Sequence, residues 1–375
     1  MNEYEEYEET YSQEEIDLIS LGKSYYENEK YEDTIDIFLE LINLNPDNYE
    51  SWHYLGMSYA QIKEYKKAIG FLLKAIEYNP EEELDWCWLG YSYNENEQYQ
   101  EAIDSLLKAV ELNPENDNNW YELGRSYNGN KQYREAIESL LKAVELNPND
   151  EDNWYWLALA YFQNGQYKKT EEALLKAIEI KPDYYACWCG LILSYKKMED
   201  FINEIEACKQ LIKLNPDDDI GWEYLGNAYY KNEQYKEAIE SFLKTVELNP
   251  ENDNNWYWLG KSYCKNKYYE KAIESLLKAI ELNPNDEYNW LWLGNSYIGL
   301  KDYNNAIQSY EKGIEINSTN CNMLNNYGVA LANLNRIEEA KKCFEKALEI
   351  DSDYNLAREN IDNLVSSGIC KVSIL

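Results

Sequence analysis

The apolar residues of this chain return in a fixed order. Eight tryptophans, Trp52, Trp86, Trp120, Trp154, Trp188, Trp222, Trp256 and Trp290, stand 34 residues apart. In most cases Leu and Gly follow at three and four residues and Tyr at seven, as in Trp120-Tyr-Glu-Leu123-Gly124-Arg-Ser-Tyr127. The spacing i, i+3, i+4, i+7 buries one face of a helix, with Trp taken as the centre of the stripe. Further on, Ala136, Leu140 and Ala143 predict a second amphipathic helix, and a proline follows it. All eight prolines, Pro46, Pro80, Pro114, Pro148, Pro182, Pro216, Pro250 and Pro284, keep the same interval, each preceded by Asn or by Lys181. A proline cannot continue a helix, so each marks the end of a unit. The pattern therefore predicts an array of helix pairs joined by short turns.

These residues resemble the tetratricopeptide repeat, whose signature is W-x2-L-G-x2-Y, then A-x3-F, then P. Ten consecutive units fit, starting at Glu15, Tyr49, Glu83, Asp117, Glu151, Tyr185, Asp219, Asp253, Glu287 and Cys321. Leu18 and Leu324 replace Trp in the first and tenth units, and Ser318 and Ser352 replace Pro in the last two. End units of such arrays face solvent on one side and are expected to differ. The resemblance implies an all-α fold, a right-handed α-α superhelix whose first helices line a concave groove. It divides the chain into an acidic tail over 1–14, ten repeats over 15–354, a capping helix over 355–365 and a tail over 366–375. The cap is carried by Leu356, Ala357, Ile361, Leu364 and Val365.

Composition narrows the function. A chain of 375 residues with a net charge of −35 is a poor ligand for phosphates, so nucleic acid is excluded as a partner. No stretch approaches a membrane span, and the acidic N-terminal segment does not read as an export signal. Eight cysteines at irregular helical positions then read as reduced thiols in a cytoplasmic protein. Cys187-x-Cys189 and the single His53 lack the spacing of a metal site, since residues two apart on a helix diverge. With one histidine, no phosphate loop and no nucleophile beside a base, neither a catalytic role nor a cofactor can be assigned. Part of the acid has a structural reading: Asp104/Lys108, Glu138/Lys142, Glu240/Lys244 and Glu274/Lys278 carry acid four residues before base, the orientation that supports a helix.

The array is uneven. NPENDNNWY occurs at 113–121 and again at 249–257, an offset of 136 residues or four units, so units three to five read as copies of units seven to nine. The sixth unit departs from its neighbours, with Ile192 at the packing glycine, Glu204 at a small core position and Cys208 in place of Leu or Phe. A β-branched residue at a close helix contact and a carboxylate in a core predict a local change of packing or curvature there.

Candidate binding residues lie on the first helices away from the stripe. Two residues after the stripe Trp, six units carry an aromatic: Tyr54, Trp88, Trp156, Tyr224, Trp258 and Trp292. Tyr121, Tyr155, Tyr257 and Phe162 extend the set, and such rings are the anchors that interfaces use. Packing against the neighbouring unit is the competing reading of the same rings. Basic residues on this face are Lys23, Arg125, Lys196, Lys197, Lys231, Lys261 and Lys265, against Glu27, Glu50, Glu95, Glu122, Asp152 and Glu223. The last five units hold five of the bases and only one of the acids, a basic strip that should steer anionic segments. Asn227 and Asn295 match the asparagine of the family's carboxylate clamp, but no Lys stands where that clamp needs its first one. The expectation is a noncatalytic scaffold that binds an extended or helical peptide segment with apolar and acidic character. A regulatory subunit of an enzyme complex and a solenoid with weak end-to-end self-association are the alternatives.

Overall fold

The computed structural model describes residues 12–366, and these contain twenty-one α-helices and no strand. The first helices of the ten pairs are α1 (Gln13–Glu27), α3 (Tyr49–Gln61), α5 (Glu83–Glu95), α7 (Asp117–Gly129), α9 (Glu151–Gln163), α11 (Tyr185–Met198), α13 (Asp219–Lys231), α15 (Asp253–Lys265), α17 (Glu287–Gly299) and α19 (Cys321–Asn333). Their partners are α2 (Tyr31–Leu44), α4 (Tyr65–Tyr78), α6 (Tyr99–Leu112), α8 (Tyr133–Leu146), α10 (Tyr167–Ile180), α12 (Phe201–Leu214), α14 (Tyr235–Leu248), α16 (Tyr269–Leu282), α18 (Tyr303–Ile316) and α20 (Ile337–Ile350). A last helix, α21 (Asn355–Ser366), packs on α20 and α19. The tail expected over 1–14 lies outside the described residues up to residue 11, and the one over 366–375 does so from residue 367.

Pairing within a repeat follows from the glycine four residues after Trp. At Gly56, Gly90, Gly124 and Gly260 a Cβ would come within 2.3–2.6 Å of the leucine sixteen residues later, Leu72, Leu106, Leu140 and Leu276. The absent side chain lets the second helix press its leucine onto the first helix's backbone, and that leucine is fully buried. Tyr310 and Phe344 take the leucine's part against Gly294 and Gly328.

The Asn-Pro segment between repeats performs three tasks. The proline's carbonyl accepts from the Trp indole Nε1 six residues on, at 2.8–3.0 Å in all eight cases, so the two periodic residues are partners. Two residues after most prolines an Asn or Asp caps the next helix; Asp150, for example, accepts from Asp152 and Asn153 backbone amides. The Asn before the proline reaches back to the acid that opens its own repeat, as Asn147 to Asp117 at 3.0 Å and Asn283 to Asp253 at 2.9 Å. Lys181 makes the same reach as an ion pair to Glu151 at 2.9 Å.

The indole contact also moves the tryptophans from the centre of the stripe to its edge. They are half-buried, and the buried face centres on the residue before Trp and on the Leu, Gly and Ser or Ala at three, four and six after it. A second correction concerns the surface ion pairs. Lys108, Lys142, Lys244 and Lys278 bond the glutamate three residues later, at 2.6–2.9 Å, and not the acid four before. Both acids share the lysine's face of the helix, and exposed pairs differ too little in energy for orientation to decide.

The chain divides into two compact units between Ser194 and Tyr195, inside α11. The first holds five packed helix pairs and most of α11, and the second holds α12, four packed pairs and α21. In the first unit Ile192 is fully buried, and in the second Cys208 is fully buried and Glu204 is 2% exposed.

Candidate functional site

In the first unit the candidate residues are largely engaged with one another. Trp88 packs against the cluster of Ala60, Ala68, Leu72 and Leu89, edge-on to Tyr91. Arg125 donates from Nη1 to both carboxylate oxygens of Glu122 at 3.0 Å and from Nη2 to Glu95 Oε1 at 2.8 Å. Its guanidinium lies over the rings of Trp156 at 4.9 Å and Tyr121 at 5.7 Å. Burial raises the Glu122 pKa while Arg125 holds it down, so the pair is a structural tie in which the arginine's charge is already spent. Tyr155 stacks obliquely on Tyr184, and Phe162 meets the edge of Tyr167. The lone histidine has a similar role: His53 Nδ1 lies 2.7 Å from Asp85, a fully buried carboxylate that also accepts from Tyr49. Sequence reasoning missed this contact, although His53 and Asp85 flank the stripe Trp on opposite sides in consecutive repeats.

The second unit distributes its basic residues differently. Lys196, Lys197 and Lys231 are exposed. Burial raises the pKa of the Glu204 carboxyl, and the charges of Lys231 and Lys196 oppose that rise. Glu223 is likewise raised by burial and then by Asp219, against Lys196. Tyr224 and Asn227 are half-buried on α13.

On α15 the arrangement tightens. The Lys261 ammonium lies 4.3 Å from the Trp258 ring centre, 5.2 Å from those of Tyr230 and Trp292 and 5.4 Å from that of Tyr257. Lys265 stands over Trp292 at 5.9 Å. Burial first, and the charge of Lys265 second, push the Lys261 amine down to about 8. Ring faces return part of that cost by attracting the cation. Trp258 itself stacks on Phe242 of the preceding repeat and meets the edge of Tyr230, as Tyr54 stacks on Phe38 near the start of the chain. Tyr54 and Trp258 thus make inter-repeat contacts while remaining half-buried.

Two of the candidates are corrected to core residues. Trp292 is 2% exposed, and Asn295 is buried with its Oδ1 accepting from the Tyr310 hydroxyl at 2.7 Å and from Asn326 at 2.8 Å. With Trp at the stripe's edge, positions two and five beyond it are drawn toward the neighbouring repeat, and in the ninth repeat the side chains there are covered.

Tetratricopeptide repeat models match residues 49–82, 124–165, 152–184, 207–240, 226–267, 254–286, 288–320 and 322–354, together more than half of the chain. The chain belongs to the tetratricopeptide repeat family. Segments of this tetratricopeptide repeat protein also match anaphase-promoting complex subunit 3, over 71–143, and the protein prenyltransferase alpha subunit repeat, over 31–60. A solved structure of the C-terminal part of a TPR repeat-containing protein from Cytophaga hutchinsonii is 20% identical, with a TM-score of 0.55, covering 64% of this chain and 98% of that one. It supports the fold alone. YrrB, described as a TPR protein with an unusual peptide-binding site, is 24% identical, with a TM-score of 0.43 over 50% of this chain and 97% of that one. MamA is 26% identical, with a TM-score of 0.41 over 43% of this chain and 95% of its own. No curated protein matches the chain.

Among the described residues, no group of three or more His, Cys, Asp or Glu could hold a metal ion, and no helix is long and apolar enough to cross a membrane.

Proposed function

We propose that this tetratricopeptide repeat protein is a noncatalytic scaffold that binds an extended or helical peptide segment of a partner on its first-helix faces. The main anchor is on α13 and α15. The observation that carries this reading is the convergence of the half-buried Tyr230, Tyr257 and Trp258 on Lys261, backed by the buried ring of Trp292, with Lys265 beside it. Aromatic rings with a cation at their centre offer the large contact area and electrostatic direction that interface anchors use. A partner segment with apolar and acidic side chains fits both features, and a cytoplasmic setting belongs to the same reading.

A photocrosslinking amino acid at Tyr257, compared with the same residue at Leu141 on α8, tests the face. In cells of the source organism, position 257 should give a discrete adduct with a partner and position 141 should not. Adducts from 141 alone, or equally from both, would sink the proposal.

A further inference from the structure

The four-repeat offset sets two versions of one site side by side. Adding 136 residues carries Arg125 onto Lys261, Tyr121 onto Tyr257 and Trp156 onto Trp292, so in both units a cation lies over the same two rings. The acids around it do not survive the offset. Glu122, bidentate to Arg125, becomes Trp258, and Glu95, which bonds the other guanidinium nitrogen, becomes Lys231. Gly129 becomes Lys265. Around Arg125 the protein supplies two carboxylates from its own chain. Around Lys261 it supplies rings and the Lys265 amine, and no carboxylate of the described residues is within ion-pairing distance of the Lys261 ammonium.

An ammonium has three donors and no acceptor, and ring faces attract its charge without accepting directed hydrogen bonds from all three. A partly buried cation so placed is stabilised by an anion that comes to it. Resting on the binding reading above, we propose that Lys261 in its aromatic cage is a subsite for side-chain carboxylates of an acidic segment of the partner. These would supply to Lys261 the negative charge that Glu122 and Glu95 supply to Arg125. The partner chemistry is a run of Asp or Glu, with apolar side chains beside it for the rings.

Protonation should follow the same logic. The titratable groups facing Lys261 are Lys265 and the Tyr257 and Tyr230 hydroxyls, both pushed up by burial, with the Cys264 thiol on the same helix pushed up to about 11. The tyrosines and the thiol stay neutral near pH 8, so the Lys261 amine is what changes. A carboxylate binds the ammonium and raises its pKa, so affinity should hold below pH 8 and fall as pH rises through 8.

The test uses the full chain and a fluorescent hexaglutamate peptide, acetylated and amidated so that only side-chain carboxylates are offered. Lys261→Met should weaken binding at least about tenfold, the size of one lost charge-assisted contact. Lys231→Gln, which removes the cation standing where the other copy has Glu95, should weaken binding less than Lys261→Met, with folding checked by circular dichroism because Lys231 also acts on the buried Glu204. Lys142→Met, on an exposed lysine of α8, should leave affinity unchanged. No binding to the wild type, or equal binding by the Lys261 and Lys142 variants, overturns the proposal. If the adduct at position 257 forms as well in Lys261→Met as in the wild type, the carboxylate subsite falls while the binding face stands. If position 257 gives no adduct at all, the binding reading itself has failed.

Discussion

Nine residues with a side chain adopt φ between 56° and 64°: Glu29, Lys63, Glu97, Lys131, Glu199, Glu233, Lys267, Lys301 and Asn335. Each ends a first helix. At the fourth repeat Lys131 N–H bonds Asn128 O at 3.0 Å and Gln132 N–H bonds Tyr127 O at 2.8 Å, the paired contacts of a Schellman turn. The left-handed conformation costs a residue with a Cβ about 1 kcal/mol, and only the fifth repeat avoids it, with Gly165. Lys131→Gly should therefore raise stability by up to about 1 kcal/mol in urea denaturation, despite the flexibility it adds to the unfolded chain. Lys142→Gly inside α8 should lower it, and a loss at both positions would show that the turn carries no strain. The turn's place was legible from the end of each apolar stripe. Its handedness was not, because the residue there is Lys or Glu in most repeats, where glycine would have announced it.

At the scale of the helix pair, the repeat length and the two buried faces were readable directly, since a period of 34 with i, i+4 and i+7 spacing admits one arrangement. The direction of each face was readable only to within half a turn. Placing Trp at the stripe's centre ignored its indole N–H, which reaches the proline carbonyl and holds the ring at the edge; that misplacement put Trp292 and Asn295 on the open face. The neutralisation of Arg125 was missed for another reason: Glu95 is 30 residues away and belongs to the preceding repeat, so pattern within one repeat does not reveal it. Glu204 makes a prediction at this scale. It occupies the place of Ala102, Ala136, Ala238 and Ala272, is nearly inaccessible, and has a carboxylate oxygen with no hydrogen-bond partner. Burial raises its folded pKa above the unfolded value, so the ionised form opposes folding, and the penalty grows as pH rises from the unfolded pKa to the folded one. Glu204→Ala should stabilise the protein by about 1 kcal/mol at neutral pH and by less in acid, where the wild-type carboxyl is already protonated. A destabilised variant at neutral pH would show that Lys196 and Lys231 more than compensate the buried charge.

For the whole molecule, a net charge of −35 and a carboxylate-binding subsite work against each other, and the outcome depends on distance. The charge that repels an acidic peptide is spread over the chain, whereas Lys261 and Lys265 act within a few ångströms of a bound carboxylate. Screening separates these ranges, because the Debye length is about 30 Å at 0.01 M salt, about 10 Å at 0.1 M and about 3 Å at 1 M. At the lowest salt the whole molecule repels the peptide; near 0.1 M that repulsion is largely screened while the local, partly buried attraction survives; near 1 M both fade. Affinity for the amidated hexaglutamate peptide should therefore pass through a maximum at intermediate salt, with the rise from low salt carried mainly by faster association. Lys261→Met should flatten the decline above the maximum and leave the rise below it in place, since only the long-range repulsion then remains. A monotonic decrease from 0.01 M would mean that the basic strip dominates the field at every distance, and a monotonic increase would mean that the peptide is held by its apolar surface with no help from the lysines.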